Sequence, residues 1–301
     1  MVWMKWLVLL AATLTLLVAG LMAYGSWRWN EGTTALLARL EAARVPHAVA
    51  RYDPRELQGL PAPVQRYFRA ALTDGQAIIA AVSIRHAGTF NMSATAEQWK
   101  PFTSQQRVIT RRPGFDWDAR VMMFPGLPLH VQVHVHDAYI AGSGLLHGAV
   151  LGLVTVVDMA DTPEMARGEL MRFFAEAAWY PTALLPSQGV RWEAVNDSSA
   201  HATLTDGPLT LKLLFRFNAE GLIDTVRAEA RERVVDGKTV TAPWQGRYWR
   251  YALQDGMRVP QEGEVAWLLP EGEKPYWRGS TVSSSYEFAN SPARRMNQTG
   301  S

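Results

Sequence analysis

The chain contains no cysteine in 301 residues. That excludes disulfides, thiolate metal sites, a cysteine nucleophile and a lipid-modified cysteine, while leaving the redox compartment undetermined. Charge is also scarce, at 19% of residues, and none occurs between Trp6 and Tyr24. All 28 acidic residues follow position 30, and setting Lys5 and Arg28 aside leaves 28 of the 30 basic ones, so residues 29–301 balance at 28 − 28 = 0. A neutral domain has no electrostatic claim on nucleic acid. Familiar reaction motifs are missing as well. Gly237-Lys238-Thr239 lacks the upstream glycine of a phosphate loop, there is no His-Glu-x-x-His, and Ala141-Gly142-Ser143-Gly144 misses the spacing of a nucleophile elbow. No cofactor is implied.

What is present begins with the membrane segment. The 19 uncharged residues from Trp6 to Tyr24 would span roughly 28 Å as a helix, close to the hydrocarbon thickness of a bilayer. Seven Leu and two Val within it favour insertion by on the order of 4 kcal/mol. Trp3 and Trp6 stand at its start and Tyr24, Trp27 and Trp29 at its end, the arrangement of an interfacial aromatic belt. Trp6, Leu10, Leu17 and Tyr24 therefore mark a membrane anchor. A cleaved signal peptide is the alternative, because Ala23-Tyr24-Gly25 before Ser26 fits a small-residue cleavage site, although the apolar run exceeds the usual h-region. Lys5 ahead of the span suits an exported domain, while Arg28, Arg39 and Arg44 beyond it weigh the other way. The reading is a single-pass protein of a bacterial inner membrane, with its main domain outside the cytoplasm.

After the anchor, residues 33–44 read as a short juxtamembrane helix capped by Thr33 or Thr34 and ended by Val45-Pro46. A second helix is expected over residues 63–72. The period then changes to two. In Phe115-Asp116-Trp117-Asp118-Ala119-Arg120-Val121 apolar and charged residues alternate strictly, as on a strand with one buried face. Val131, Val133 and Val135 repeat the pattern against His130, Gln132, His134 and His136, and further strand-like runs continue to about residue 288. Asp206-Gly207, Glu220-Gly221, Asp236-Gly237, Asp255-Gly256 and Glu271-Gly272 punctuate them as hairpin turns. Without βαβ alternation, dinucleotide-binding and P-loop folds are excluded. One helix, expected over residues 163–178 after the Thr162-Pro163 cap, interrupts the strands. The expected fold is mainly β (α+β): residues 1–28 an anchor, 29–60 a stalk, 61–289 one large curved antiparallel sheet or half-barrel with a packed helix, and 290–301 a flexible tail.

Three constellations could carry chemistry. Glu169, Arg172 and Glu176 stand at i, i+3 and i+7 of the interrupting helix, with the guanidinium between two carboxylates. They form an ion triad locking helix to sheet, or alternatively an acid/base pair. His134-x-His136 places two imidazoles on one strand face, a weak metal site that needs a third ligand such as His130. Asp137 points to the other face. Asp116-x-Asp118 shares the polar side with the histidines. The eight tryptophans beyond the membrane segment lie mostly on or beside strands. Phe115, Trp117, Trp179, Tyr180, Trp192, Trp244 and Trp267 are the candidate walls of a lipid-sized hollow on the concave side.

The order of motifs adds a resemblance. Pro63-Val64-Gln65-Arg66-Tyr67-Phe68, then Gly114 to Arg120, Asp137-Ala138-Tyr139 with Gly142 and Gly144, Gly168-Glu169-Leu170, Trp179-Tyr180-Pro181-Thr182-Ala183-Leu184-Leu185-Pro186, Pro243-Trp244 and Trp277-Arg278-Gly279 together resemble a bacterial family of uncharacterised membrane-associated proteins, across roughly residues 60–288. The Trp-Tyr-Pro-Thr-Ala-Leu-Leu-Pro run is its most specific element, and the family brings no activity with it. More remotely, Phe102 to Trp117 is similar to the half-barrel lipoprotein carriers of the bacterial envelope. That similarity implies acyl chains held on a concave sheet capped by helices. The N-terminal anchor departs from those soluble carriers, and the histidine cluster belongs to neither pattern. The expected function is a membrane-anchored envelope protein that binds a hydrophobic or lipid-like ligand without catalysis. The alternatives are an enzyme acting on an envelope glycolipid or peptide through Glu169 or Glu176, and a structural partner in an envelope complex.

Overall fold

A computed structural model describes residues 2–93, 96–126, 131–235 and 238–289. His130, the Asp236-Gly237 turn and the tail from Asn290 lie outside the described residues. Among the described residues 13 strands form one antiparallel sheet. They are β1 (Ile79–Asn91), β2 (Trp99–Ile109), β3 (Gly114–Met122), β4 (Gln132–Ile140), β5 (Ser143–Val150), β6 (Val154–Ala160), β7 (Arg191–Asn196), β8 (Ser199–Asp206), β9 (Leu209–Phe217), β10 (Ile223–Val235), β11 (Lys238–Gln254), β12 (Met257–Leu269) and β13 (Gly272–Phe288). Hairpins join almost all of them, β1 pairs with β13 at the middle of the sheet, and β6 and β7 are left as its free edges. Turn chemistry sets the registers. Between β11 and β12, Asp255 (φ 48°) and Gly256 (φ 82°) are both left-handed, which a two-residue hairpin needs and an Asp-Gly pair supplies.

The strand pairs β4–β5 and β5–β6 carry residues 143–160, a segment without a clear period in the sequence. Its glycines explain why. A Cβ on Gly144 would lie 2.5 Å from the carbonyl carbon of Met165, so only a bare backbone lets β5 pass under the following helix.

Two helices sit on the concave side. In α2 (Ala62–Ala71), Tyr67 packs on Phe217 and Phe68 on Trp192. In α3 (Pro163–Ala175), the Thr162 hydroxyl accepts from the Met165 N–H at 3.2 Å. The regular helix stops at Ala175, earlier than the sequence pattern indicates, and tightens into 3-10 turns at Glu176–Trp179, Pro181–Leu184 and Pro186–Gln188. The turns are held by side chains reaching into the sheet. Trp179 Nε1 donates to the Pro260 carbonyl at 3.0 Å, Tyr248 Oη to that of Ala175 at 2.8 Å, and the Thr182 hydroxyl accepts from Ile79 N–H at 2.9 Å.

The sheet curls strongly. Tyr139 on β4 donates to Asp206 at the end of β8 at 2.6 Å, although nine strand intervals separate these strands in the sheet. At about 4.8 Å per interval, a flat sheet would hold them roughly 43 Å apart. The two arms therefore fold toward each other around α3.

The convex face is covered by α1 (Val2–Ala42). Here the structure corrects the stalk. Residues 33–42 continue one unbroken helix from the apolar stretch, and Thr33 and Thr34 donate back to the carbonyls of Trp29 and Asn30 instead of capping a new helix. Below Gly25 the helix is solvent-exposed on the described chain, with Trp6, Leu10, Leu17 and Tyr24 all exposed. From Gly25 onward one face docks on the sheet through Trp29, Thr33, Leu36, Leu37 and Leu40, a helical repeat. Leu40 packs with Ala81, Ile109, Ala138 and Ile140. Gly25 touches the β5–β6 loop so closely that a Cβ there would run into Leu151 O and the Leu153 side chain.

Gly25→Ala is expected to part α1 from that loop and destabilise the detergent-solubilised protein by about 1–3 kcal/mol in chemical unfolding. Gly32→Ala, seven residues along the same helix, where a Cβ meets nothing within 4 Å, is expected to hold or raise stability. Equal behaviour of the two would contradict this docking.

Candidate functional site

The outer face of β3 and β4 carries Asp116, Asp118 and Arg120 beside His134 and His136. Their alternation with apolar residues marks a polar face, but that face is not open to water: α1 lies over it. Trp29, expected in the membrane belt, is only 4% exposed and seated among the histidines. Its ring stacks on His136 at 4.6 Å and on His147 at 5.6 Å, and meets His134 edge-on at 5.1 Å. Trp29 Nε1 donates to Asp118 Oδ1 at 2.9 Å, and the Arg120 guanidinium, paired with Asp118, lies 5.5 Å from the ring centre.

The Thr33 hydroxyl, 3.0 Å from His136 Nε2, and Asp116, 2.9 Å from His136 Nδ1, have the connectivity of nucleophile, base and orienting carboxylate. Their packing makes them a fastening instead. Thr33 also bonds Asp118 at 3.1 Å and its own helix at Trp29 O, and it does not line the neighbouring cavity. With both nitrogens of His136 engaged, the weak metal reading loses one of its ligands to the clasp. Among the described residues no group of three such side chains is arranged to hold a metal. Burial, aided by Arg120, lowers the His134 pKa to about 4, and burial raises that of Asp116.

Beside the clasp, α1 and the β4–β6 side of the sheet leave a cavity of about 440 Å³. Arg28, Trp29, Gly32, Ala35 and Leu36 form the helix wall, and Leu145, His147, Ala149, Leu153 and Asp158 belong to the opposite one. A smaller cavity of about 50 Å³ shares Leu36 and Leu145 and extends to Arg39. Sequence reasoning missed this groove because it needs two segments about 120 residues apart, one assigned to a stalk and one to no element. The available signal was the helical stripe Gly25, Trp29, Thr33, Leu36 and Leu40, which outlasts the membrane stretch.

The structure brings the candidate walls of the concave hollow together as packing. Phe115, Trp117, Trp179, Tyr180, Trp192 and Trp244 are buried in one continuous core, with Trp267 half-buried against it. Trp179 alone meets Tyr248, Trp277 and His86 edge-on.

The α3 constellation differs in its pairing. Arg172 binds Glu176 at 2.7 Å as expected, but its second carboxylate is Asp137 of β4, not Glu169. Glu169 turns instead to Arg231 of β10 at 3.3 Å. Gln106 donates to Glu176 at 2.6 Å, and the Arg172 guanidinium also covers the rings of Trp117 and Phe115 at 4.8 and 5.0 Å. Glu169 is pushed well above the ordinary carboxylate range, first by burial and then by the Asp137 charge beside it. A neutral Glu169 places two guanidiniums opposite two carboxylates. The two cavities described above are lined by other residues than Glu169, Arg172 and Glu176.

The pH response has two opposed parts. His86, buried between Trp179 and Trp277, is lowered to about 3, and His134 to about 4. The unfolded chain takes up protons that these folded imidazoles refuse, so their stability contribution is full above about 6.5 and lost as pH falls toward about 4 for His134 and about 3 for His86. Glu169 has the opposite sign: folded, it holds a proton the unfolded chain has released, and stability is lost as pH rises above about 4.5. Glu169→Gln is therefore expected to unfold at higher urea than the parent, by a margin that widens from pH 5 to 8 at no more than about 1.4 kcal/mol per pH unit. Parallel pH curves for the two proteins would refute the assignment.

Comparison with known proteins adds the following. No curated protein matches the chain. Two solved structures show remote similarity of fold. A LolA superfamily protein of Nitrosomonas europaea is 12% identical, with a TM-score of 0.37, over 76% of this chain and 94% of that one. A β-barrel-like protein of the domain of unknown function DUF1849 from Brucella abortus is 11% identical, with a TM-score of 0.24, over 70% and 99% respectively. The model of a family of unknown function, DUF6920, matches residues 58–286, from just before α2 to near the end of β13. The chain belongs to the DUF6920 family of unknown function.

Proposed function

We propose that this protein is a single-span anchor for a β domain that takes one lipid-like amphiphile from the bilayer into the groove between α1 and the β4–β6 side of the sheet. The observation that carries this reading is the position of the cavity of about 440 Å³. It begins at Arg28, one helical turn beyond the uncharged stretch that ends at Tyr24. The N-terminal helix is long and apolar enough to cross a membrane, with a mean hydropathy of 2.3 in its most apolar window. A volume of this size falls within the range of about 300–1,000 Å³ usual for small-molecule sites. Largely apolar walls with a few polar groups set among them suit a molecule that is greasy for most of its length. Catalysis is not part of the reading.

The domain is read as lying outside the cytoplasm of a bacterial cell, because a basic residue, Lys5, precedes the first apolar segment and long domains translocate largely regardless of flanking charge. The absence of native cysteine makes this easy to check. Ser280→Cys, exposed on β13, is expected to react with a membrane-impermeant maleimide in intact spheroplasts. Labelling only after lysis would reverse the orientation.

Binding is tested by filling the groove. Gly32 lines it and faces open space, so Gly32→Leu adds bulk without a backbone clash and improves helix propensity by nearly 1 kcal/mol. The variant is expected to keep or raise its melting temperature while losing most of the lipid that native mass spectrometry detects on the detergent-purified protein. Unchanged lipid content would overturn the proposal.

A further inference from the structure

The groove has a chemical polarity along its length. Arg28 lies at the membrane end, Gly32 one turn on and Leu36 another, so one face of α1 presents in sequence a cation, a space and an apolar side chain. The stripe from Arg28 to Arg39 covers roughly 17 Å of helix. Across it stand Leu153, Ala149 and Leu145. Four polar residues besides Arg28 line it: His136, His147, Thr155 and Asp158. His147 is engaged by Asp158 at 3.1 Å, and His136 is held in the clasp by Asp116 and Thr33. Arg28 differs from both: it is exposed, and among the described residues no carboxylate, carbonyl or ring partners it. Its guanidinium sits at the depth where phosphate headgroups lie if Tyr24 and Trp27 mark the interface. An unneutralised guanidinium at the mouth of an apolar groove complements a negative headgroup on an acyl chain, and it offers paired N–H donors in the geometry that phosphate oxygens accept.

We infer that the groove selects a membrane lipid with an anionic phosphate headgroup, the phosphate held by Arg28 at the mouth and one acyl chain laid along Gly32 and Leu36 toward Leu145. The inference rests on the lipid-binding reading above and adds the class of ligand. The second cavity, reached past Leu36 and Leu145, extends the same path for a longer chain. Arg28 acts here as a binding residue; Trp29, a neighbour on the helix, keeps the groove open by holding α1 on the histidines.

The test uses the full chain in detergent, exposed to mixed vesicles of equal phosphatidylglycerol and phosphatidylcholine, re-isolated, and read by native mass spectrometry. The parent is expected to carry phosphatidylglycerol over phosphatidylcholine by about fivefold, the contribution of one basic residue near an anionic surface. Arg28→Gln is expected to bring the ratio close to one, Arg28→Lys to keep much of it, and Lys5→Gln, at the other end of the span, to leave it unchanged. Gly32→Leu should remove both lipids. A ratio near one in the parent, or a preference that survives Arg28→Gln while Gly32→Leu still abolishes binding, would overturn the headgroup assignment and leave the lipid-binding reading standing. Lipid content indifferent to Gly32→Leu would overturn that reading itself. Inorganic phosphate competing as effectively as phosphatidylglycerol would show that the anion alone, and not the lipid, is the ligand.

Discussion

The curled sheet depends on charges buried beneath α3. Arg172 reaches Asp137 on one arm and Glu169 reaches Arg231 on the other. Those strands, β4 and β10, are seven intervals apart in the sheet, roughly 34 Å if it were flat. Each ion taken from water costs several kcal/mol unless it is paired, so these groups are poorly tolerated in any state that separates the arms. The network thus favours one curvature over neighbouring ones more than it adds net stability. Gln106 on Glu176 and the rings of Phe115 and Trp117 under Arg172 finish the enclosure. The same enclosure leaves Glu169 the proton that keeps the cluster near neutral.

With the inside closed in this way, the convex face becomes the working surface of the proposed function. A single helix carries two patterns. From Trp6 to Tyr24 no side of it bears a charge, and from Gly25 onward it is amphipathic, with one face on the sheet. Trp29 is the hinge between the two regimes in a chemical sense, an aromatic residue of belt type that finds histidine rings in place of headgroups. Because the helix does not break, the groove beside Arg28 keeps its place relative to the apolar segment.

Much of the architecture was legible from residue order. Strict alternation in β3, the Asp-Gly turns and the Thr162-Pro163 cap are local signals whose energetics scarcely depend on distant chain, so they translate directly into strand, hairpin and helix start. The segment over residues 143–160 was not legible, since Gly144 and Gly148 serve contacts made by other elements and erase the period that marks a strand. The candidate site was less legible still. Glu169 and Arg172 lie on α3 and Glu176 in the 3-10 turn just beyond its end, while the partners Asp137 and Arg231 come from strands that spacing along the chain cannot bring near.

By itself the sequence determined an uncharged span of membrane length, an antiparallel β domain of balanced charge, and one helix set among the strands, because length, periodicity and turn chemistry act over a few residues. Tertiary structure alone decided which way the faces look. The aromatic residues pack into one continuous core, the histidine face is roofed by α1, and the cavity of about 440 Å³ opens outside the curve of the sheet. The physical reason is that amphipathic pattern shows that a face is covered without showing by what: water, membrane and another helix leave the same alternation in a strand.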